Sequence, residues 1–342
     1  FWPIISYVNL IYFLRRRKCC MNKISVVVPC FNEEEVLSMF YKKTSEVLNE
    51  IEGITYELLF VDDGSKDHTK DILRALSLKD DRCEFISFSR NFGKEAAMLA
   101  GLKKSTGEYT ALIDADLQQH PKYVKQMLEY IEEHNEYDCI TCYQEKRKEN
   151  KFIIWLKEKF YSLINKISDI PFYKNASDFR LFNRKVLSSV LDMTEYYRFS
   201  KGIFSYVGFN TYYMPYEVNE RKYGKSSWSL FGLFKYALNG IIGFSVAPLK
   251  LATILGLITM ILSVIYLIIV IIKKLFIGIA ISGYPTIICL ILIFGGLQMF
   301  LLGVIGEYLG RIYVELKRRP IYIVRDEVTK VNKSEKDENN KK

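Results

Sequence analysis

The sequence predicts an α/β domain, a mostly parallel sheet with helices on both faces, followed by two membrane-spanning helices. Three observations carry this. First, ISVVVPCFNEEE, LLFVDDGS and ALIDADLQ stand in that order between residues 24 and 118, each an apolar run that ends abruptly in acidic or turn residues. Second, helix-like segments separate the runs, and strands alternating with helices imply parallel pairing. Third, residues 251–272 and 275–306 carry no charged side chain, and about 20 apolar residues suffice for a helix to cross a bilayer. An open sheet of this kind binds ligands beyond the carboxyl ends of its strands, so the acidic residues there mark the place to look for chemistry.

In chain order, residues 1–21 form an uncertain extension. Phe1–Leu14 is apolar but too short to span a bilayer, Arg15–Lys18 follow it, and the domain pattern starts after Met21. Met21 is the expected natural start; a peripheral anchor or a truncated span are the alternatives. Residues 24–28 read as a buried strand closed by Pro29. Asn32 is expected to cap a helix running to Glu50, with Glu33–Glu35 in its first turn. Strands follow at 56–61, 84–88 and 108–113, and helices at 67–78, 94–105, 121–134, 151–168 and 184–192. Residues 228–246 suit an amphipathic helix in the membrane interface, with Trp228, Phe231, Phe234 and Tyr236 at headgroup depth. Spanning helices are expected at 249–272 and 284–308, and Gly306 with Gly310 either packs them closely or is ordinary small-residue filling. Residues 330–342 read as a disordered polar tail. The expected organisation is a catalytic domain over 22–226, interfacial helices over 227–248, a two-helix membrane region over 249–310, and a basic juxtamembrane segment and tail over 311–342.

The net charge is +9. Lys235 and Lys250 precede the first span and Arg311, Lys317, Arg318 and Arg319 follow the second, whereas the connection holds only Lys273 and Lys274. That bias places the large domain and both termini in the cytoplasm. The basic surplus suits anionic lipid and phosphate; no zinc finger or basic-aromatic RNA motif points to nucleic acid. The seven cysteines are odd in number and scattered, which argues against a disulfide framework. Cys139 and Cys142 lack the second pair or histidines that a zinc site needs.

The sharpest chemical signal is Asp114-Ala115-Asp116. Alternate residues leaving a strand place two carboxylates near one cation, and Gln118 could add an amide oxygen. Mg²⁺ or Mn²⁺ held there would neutralise a departing diphosphate. Asp62 and Asp63 could hydrogen-bond a base or ribose, or build an Asx-turn with Gly64 and Ser65. The absence of G-x-G-x-x-G and of a P-loop weakens dehydrogenase and kinase readings.

VVVPCFNEEE, VDDGSKDHT, SFSRNFGKEAAMLAG, DADLQQHP, ASDFRLFNR, YRFSKGIFSYVGF and GEYLGRIYVELKRRPIYIV together resemble the family 2 glycosyltransferases of the polyprenyl-phosphate type. The likeness runs over residues 22–326 and is nearest to bacterial undecaprenyl-phosphate glucosyltransferases, relatives of dolichyl-phosphate mannose synthase. It implies a GT-A fold and transfer of a sugar, best matched by glucose from UDP-glucose, to a polyprenyl phosphate at the cytoplasmic membrane. It also implies roles. Pro29, Asn32 and Glu33 would line the nucleotide pocket with Asp62 and Asp63. Arg90, Asn91, Gly93 and Lys94 would lie beside the donor. Asp114, Asp116 and Gln118 would hold the metal and diphosphate. Asp178 and Arg180 match the family's D-F-R element, and Arg198 and Lys201 would stand on the acceptor side, Lys201 also within reach of bound donor. Arg180 and Arg198 would join Asp114 and Asp116 in the catalytic set. A homotetramer would match relatives.

The chain departs from the family pattern where many relatives carry an acceptor-gripping Arg: Gln144 stands there, and a second basic position reads as Ile153 or Ile154. Lys146, Arg147, Lys148 and Lys151 could replace the charge or form a solvated loop. Two alternatives therefore stand beside the glucosyltransferase: a catalytically weakened, membrane-bound binding or assembly subunit, and the same reaction with GlcNAc or mannose donors.

Overall fold

The computed structural model describes residues 22–144, 159, 162, 165, 173, 176–218, 242–243, 245–276 and 283–329. The chain divides into two compact units; one takes in the N-terminal two-thirds and residues 320–342, the other residues 162–170 and 229–319.

The first unit is built on an eight-stranded sheet of order β7-β5-β6-β4-β1-β2-β3-β8. Its centre is parallel: β3 (Cys83–Phe88), β2 (Ile54–Asp62), β1 (Asn22–Cys30) and β4 (Tyr109–Leu112) run in one direction. Val26, Val27 and Val28 of β1 are fully buried. A strand covered on both faces loses the polar–apolar alternation of a half-exposed one, which is why it reads as a continuous apolar run. One face is covered by α1 (Leu37–Asn49), α2 (Thr69–Lys79) and α4 (Lys122–Glu133), whose Leu37, Phe40, Leu73, Val124 and Leu128 join Val26, Val28, Leu58 and Phe60 in one core. The other face is covered by α3 (Lys94–Lys104), whose Ala96, Ala97 and Ala100 pack on Val61, Ile86 and Phe88. Each such large aliphatic side chain contributes about 1.5–3 kcal/mol on burial.

Beyond β4 the sheet becomes mixed, so the expectation of a largely parallel sheet holds only for its middle. β6 (Ala176–Asn183) is antiparallel to β4, β5 (Cys139–Gln144) is antiparallel to β6, and β7 (Thr211–Tyr216) runs parallel to β5 at the edge. Helices α5 (Arg184–Asp192) and α6 (Ser200–Tyr206) follow β6. The other edge is β8 (Val324–Val328), antiparallel to β3. Tyr322 stacks on Phe88 with centroids 4.9 Å apart, and the Ser89 N–H donates to the Ile323 carbonyl at 3.0 Å.

The second unit contains two long apolar helices, α7 (Ala247–Phe276) and α8 (Tyr284–Leu316), each extending past its expected end. Both are long and apolar enough to cross a membrane. Large apolar side chains such as Leu262, Ile268, Met299 and Phe300 stand exposed along them, a surface suited to lipid rather than water. Within this unit the Tyr308 hydroxyl donates to the Ser245 carbonyl at 2.8 Å. Among the described residues no atom lies within 4 Å of a Cβ built on Gly306 or Gly310, so they make no close contact between the two helices there. Most of the expected helix over 151–168 and of the interfacial helix over 228–246, the extension 1–21 and the tail 330–342 lie outside the described residues.

Candidate active site

Because β1, β2, β3 and β4 are parallel and in register, their carboxyl ends present four loops along one edge. Phe31–Glu35, Asp63–Lys66, Ser89–Gly93 and Ile113–Gln119 therefore meet. Burial pushes the Cys30 thiol well up, and the carboxylates of Glu33, Asp62, Asp114 and Asp67 push it further. Acidic groups from three strand ends thus converge on one point.

The first loop corrects an expectation. Asn32 does not cap a helix. It takes φ 55°, a left-handed conformation that asparagine tolerates, and its side-chain oxygen accepts the Lys66 N–H at 3.0 Å while its own N–H donates to Ser65 Oγ at 2.9 Å. Glu33–Val36 form a separate turn, and α1 begins only at Leu37 without a side-chain cap. The Glu33 N–H donates to Thr69 Oγ1 at 2.8 Å, and Glu34 accepts the His68 N–H at 2.8 Å. The loops after β1 and β2 are laced together in this way around an open cleft of about 450 Å³ lined by Asn32, Glu33, Glu34, Glu35, Val36, Lys66 and Asp67. Pro29 sits one residue before the end of β1.

Asp62 and Asp63 are both buried and have internal partners. Asp62 accepts the Ser65 N–H at 3.0 Å and the Ser87 hydroxyl at 2.7 Å. Asp63 accepts the N–H groups of Phe92 at 2.6 Å and Gly93 at 2.9 Å, fixing the Ser89–Gly93 turn. Burial raises the Asp63 pKa to about 6, against the pull of those two hydrogen bonds. The turn with Gly64 and Ser65 is thus built by Asp62, whereas Asp63 reaches across to a different turn. Arg90 lies exposed, its guanidinium 4.1 Å from the Phe92 ring centre. Asn91 is exposed and Gly93 precedes α3.

Asp114 and Asp116 leave β4 one residue apart. Leu117 follows with φ 59°, rare for a branched side chain and costing of order 1–3 kcal/mol. This sharp turn brings Gln119, not Gln118, back onto Asp114: Gln119 accepts the Asp114 N–H at 3.0 Å and donates to Asp114 Oδ2 at 3.1 Å. Gln118 contributes its backbone N–H to Asp116 Oδ1 at 3.1 Å. Gln119, which sequence reasoning missed, is thus the amide that orients the first carboxylate.

Lys94 joins this group to β6. Its ammonium lies 2.7 Å from Asp114 Oδ1 and 3.4 Å from Asp178 Oδ2. Desolvation opposes its charge, but the two carboxylates outweigh that and hold its pKa above the usual lysine range. Burial likewise opposes the Asp178 charge, and Lys94, Lys201 and Arg180 outweigh it, bringing its pKa to about 2. Asp178 Oδ1 and Arg180 Nε are buried with no hydrogen-bond partner among the described residues, and a polar ligand could satisfy them. Arg180 is buried, donates to the Ser177 carbonyl at 3.0 Å and stacks 4.0 Å over Phe204. Arg198 is differently engaged: its guanidinium donates to the Met193 and Val190 carbonyls at the end of α5. Gln144 donates to the Tyr216 hydroxyl at 3.1 Å; Lys146, Arg147, Lys148, Lys151, Ile153 and Ile154 lie outside the described residues.

Cys139 and Cys142 are buried thiols along β5. Among the described residues no three His, Cys, Asp or Glu side chains form a ready metal cage.

A mixed sheet with acidic loops at the ends of its parallel strands, and a D-x-D turn beyond the fourth, defines a GT-A-like glycosyltransferase. The chain belongs to glycosyl transferase family 2: that family's model matches residues 25–191, and the model described as GtrB C-terminal hairpin matches residues 247–312. It is 40% identical over 305 residues to the putative glycosyltransferase CsbB of Bacillus subtilis, covering 89% of this chain and 91% of that one. It is 40% identical to the prophage bactoprenol glucosyl transferase homolog of Escherichia coli, over 89% of this chain and 98% of that protein. The bactoprenol glucosyl transferase of Shigella phage SfV is also 40% identical, over 90% of this chain and its whole length.

Proposed function

We propose that this enzyme transfers glucose from UDP-glucose to undecaprenyl phosphate, giving a polyprenyl-phosphate sugar at the cytoplasmic face of the membrane for cell-envelope glycan modification. The observation that carries the reading is the Asp114–Lys94–Asp178 array at the strand ends, in a chain that continues into two helices long enough to span a bilayer. The relatives named for bactoprenol glucosylation supply the substrate class.

The chemistry follows from the acceptor. A hydroxyl would need a base to take its proton, but a phosphate monoester, with a second pKa of about 6, is already anionic at neutral pH. Its oxygen attacks the anomeric carbon, the bond from that carbon to the nucleoside diphosphate breaks, and the configuration inverts. Positioning and charge matter more than a tuned base. In this reading Asn32, Glu33 and Lys66 border the nucleotide, Lys94 faces the diphosphate, and Asp178 Oδ1 and Arg180 Nε receive sugar or phosphate groups.

A divalent cation fits this donor set. Two hard carboxylates one residue apart suit Mg²⁺ or Mn²⁺, and an incomplete protein cage suits an ion whose remaining ligands are diphosphate oxygens and water. Asp114 and Asp116 would hold it, with Gln119 orienting Asp114. When bound, such an ion neutralises charge on the departing diphosphate.

The organisation proposed is a cytoplasmic catalytic domain over 22–226, interfacial helices over 227–248 and a membrane hairpin over 249–310 that keeps the site near a lipid confined to the bilayer, in a homotetramer with both termini cytoplasmic. Membranes containing the protein, given radiolabelled UDP-glucose and undecaprenyl phosphate, should form labelled lipid; Asp116→Ala should form none. Undiminished product in that variant refutes the metal assignment. Product with UDP-GlcNAc or GDP-mannose alone changes the donor, and no product with any common nucleotide sugar favours a binding or assembly subunit.

A further inference from the structure

Strand β8 lies antiparallel to β3, so its first residues enter the sheet at the carboxyl end of that strand, where the Ser89–Gly93 turn leaves it. Val324 stands opposite Phe88, and Glu327 opposite Ile86. The residues just before β8 do more than lead into it. The Tyr322 ring lies on the Phe88 ring, with 4.9 Å between centres and a tilt of 15°. The Lys103 ammonium stands 5.7 Å from the Tyr322 ring centre. Ile321 and Tyr322 pack on the cluster formed by Val61, Ile86, Phe88, Ala96, Ala97 and Ala100. The Ile323 carbonyl accepts the Ser89 N–H at 3.0 Å.

Two sets of contacts therefore fix the Ser89–Gly93 turn. Asp63 holds it by its amides, through the Phe92 and Gly93 N–H groups. Tyr322 holds it by its rings. The Phe92 ring meets Phe88 edge-on at 5.8 Å and carries the Arg90 guanidinium 4.1 Å from its centre. The residue after Gly93 is Lys94, whose ammonium meets Asp114 and Asp178. The path from Tyr322 to those carboxylates thus runs through Phe88, Phe92 and the first residue of α3. Closing the β3 edge does not call for such a path. The ladder itself does that, with ion pairs further along β8: Glu327 with Lys104 at 3.1 Å, and Asp326 with Lys70 and Arg74. Loops at a ligand-binding edge open locally when little packing holds them, and an aromatic stack at this end of β3 supplies that packing.

We propose that Tyr322 is a positioning residue for the nucleotide-sugar donor: acting through Phe88 and Phe92, it holds the Ser89–Gly93 turn in the shape that sets Lys94 on Asp114 and Asp178. The inference rests on the reading of this cleft as a nucleotide-sugar site and deepens it. It gives the residues that follow the second apolar helix a share in donor binding, although none of them touches the donor.

The test uses the full-length protein in detergent with Tyr322→Ala, Tyr322→Phe and Glu327→Ala, titrated with UDP in the presence of Mg²⁺. Tyr322→Ala should weaken UDP binding and raise the KM for UDP-glucose about tenfold, the scale of one lost aromatic pair, with the KM for undecaprenyl phosphate within about twofold of wild type. Tyr322→Phe keeps the ring and should bind UDP as wild type does. Glu327→Ala gives up the Lys104 ion pair further along β8 and should leave UDP affinity unchanged whatever it does to Tm. Tyr322→Leu, apolar but without a ring, serves if the alanine variant does not fold, and should weaken UDP binding about threefold. Hydrogen exchange reports the hold on the turn without any ligand: the amides of residues 89–93 should exchange faster in Tyr322→Ala or Tyr322→Leu while those of 24–28 stay protected. UDP affinity retained in both of these variants overturns the proposal. So do unchanged exchange over 89–93, a Tyr322→Phe variant as impaired as Tyr322→Ala, an equal loss in Glu327→Ala, or equal rises in both KM values. Wild-type protein that binds no UDP faults the donor reading itself, and faster exchange over 89–93 in the variants would then still establish the hold on the turn.

Discussion

Replacing Gly64 with alanine probes the contact that joins the Asp62–Ser65 turn to the Ser89–Gly93 turn. Gly64 has φ +66°, and a Cβ there would lie 2.4 Å from the Arg90 carbonyl carbon, 2.8 Å from its oxygen and 2.9 Å from its Cα. Those are backbone atoms and cannot swing aside as a side-chain tip would. Gly53 supplies the control: its φ is +74°, but nothing lies within 4 Å of its Cβ position. Both substitutions carry the left-handed penalty of about 1–2 kcal/mol. Only Gly64→Ala adds an overpacking cost, about 1–3 kcal/mol, for a total of about 2–5 kcal/mol. In a domain of this size each kcal/mol lowers Tm by about 2–4 °C. Thermal unfolding of the detergent-solubilised protein should therefore show a clearly larger fall for Gly64→Ala than for Gly53→Ala. Titration with UDP should show weakened binding only for Gly64→Ala, because the displaced turn is the one Asp63 anchors through Phe92 and Gly93. Equal Tm shifts with UDP affinity intact would refute the claim that the two turns are locked by contact at this glycine.

Other outcomes follow from the same geometry. Burial raises the Asp63 pKa to about 6, above the usual carboxylate range, so its contribution to stability is fully present below about pH 4 and lost as pH rises through about 6; Asp63→Asn should flatten that part of a Tm-against-pH curve. The same variant turns an amide N–H₂ toward one of the two N–H donors, and the orphaned donor should lower stability at pH 5 by about 1–3 kcal/mol. Lys94→Met leaves Asp114 and Asp178 without their shared cation, and glucosyl-lipid formation should fall by at least about a hundredfold, the scale of lost electrostatic stabilisation; a fall under threefold in single-turnover assays refutes its place at the diphosphate. Tyr322→Ala removes the stack on Phe88 and should speed hydrogen exchange at the Ser89 amide, which unchanged exchange would contradict.

The parallel centre of the sheet is legible because strands buried on both faces read as apolar runs, and those of β1, β2 and β4 give way within a few residues to acidic or turn residues. The flanking strands hide for physical reasons. β5 is short and half polar, β7 carries Pro215, which only an edge strand tolerates, and β8 is three charged residues between valines. At the site, the acidic residues were legible as a set, but their division of labour was not. Asn32 looks like a helix cap until its left-handed backbone spends its amide on Lys66. Gln118 and Gln119 are indistinguishable in sequence; the Leu117 turn decides which one folds back on Asp114. The Tyr322–Phe88 stack, between residues far apart along the chain, leaves no local pattern at all.

The last strand of the catalytic sheet is encoded after both apolar helices. Until the ribosome has finished α8 and released β8, the β3 edge stands with its amides and carbonyls unpaired, an open invitation to intermolecular pairing. Lys70, Lys104 and Arg74, which ion-pair with Asp326 and Glu327 of β8, keep that interim edge positively charged and self-repelling. Completion of the sheet is thereby made to wait for synthesis of the two apolar helices.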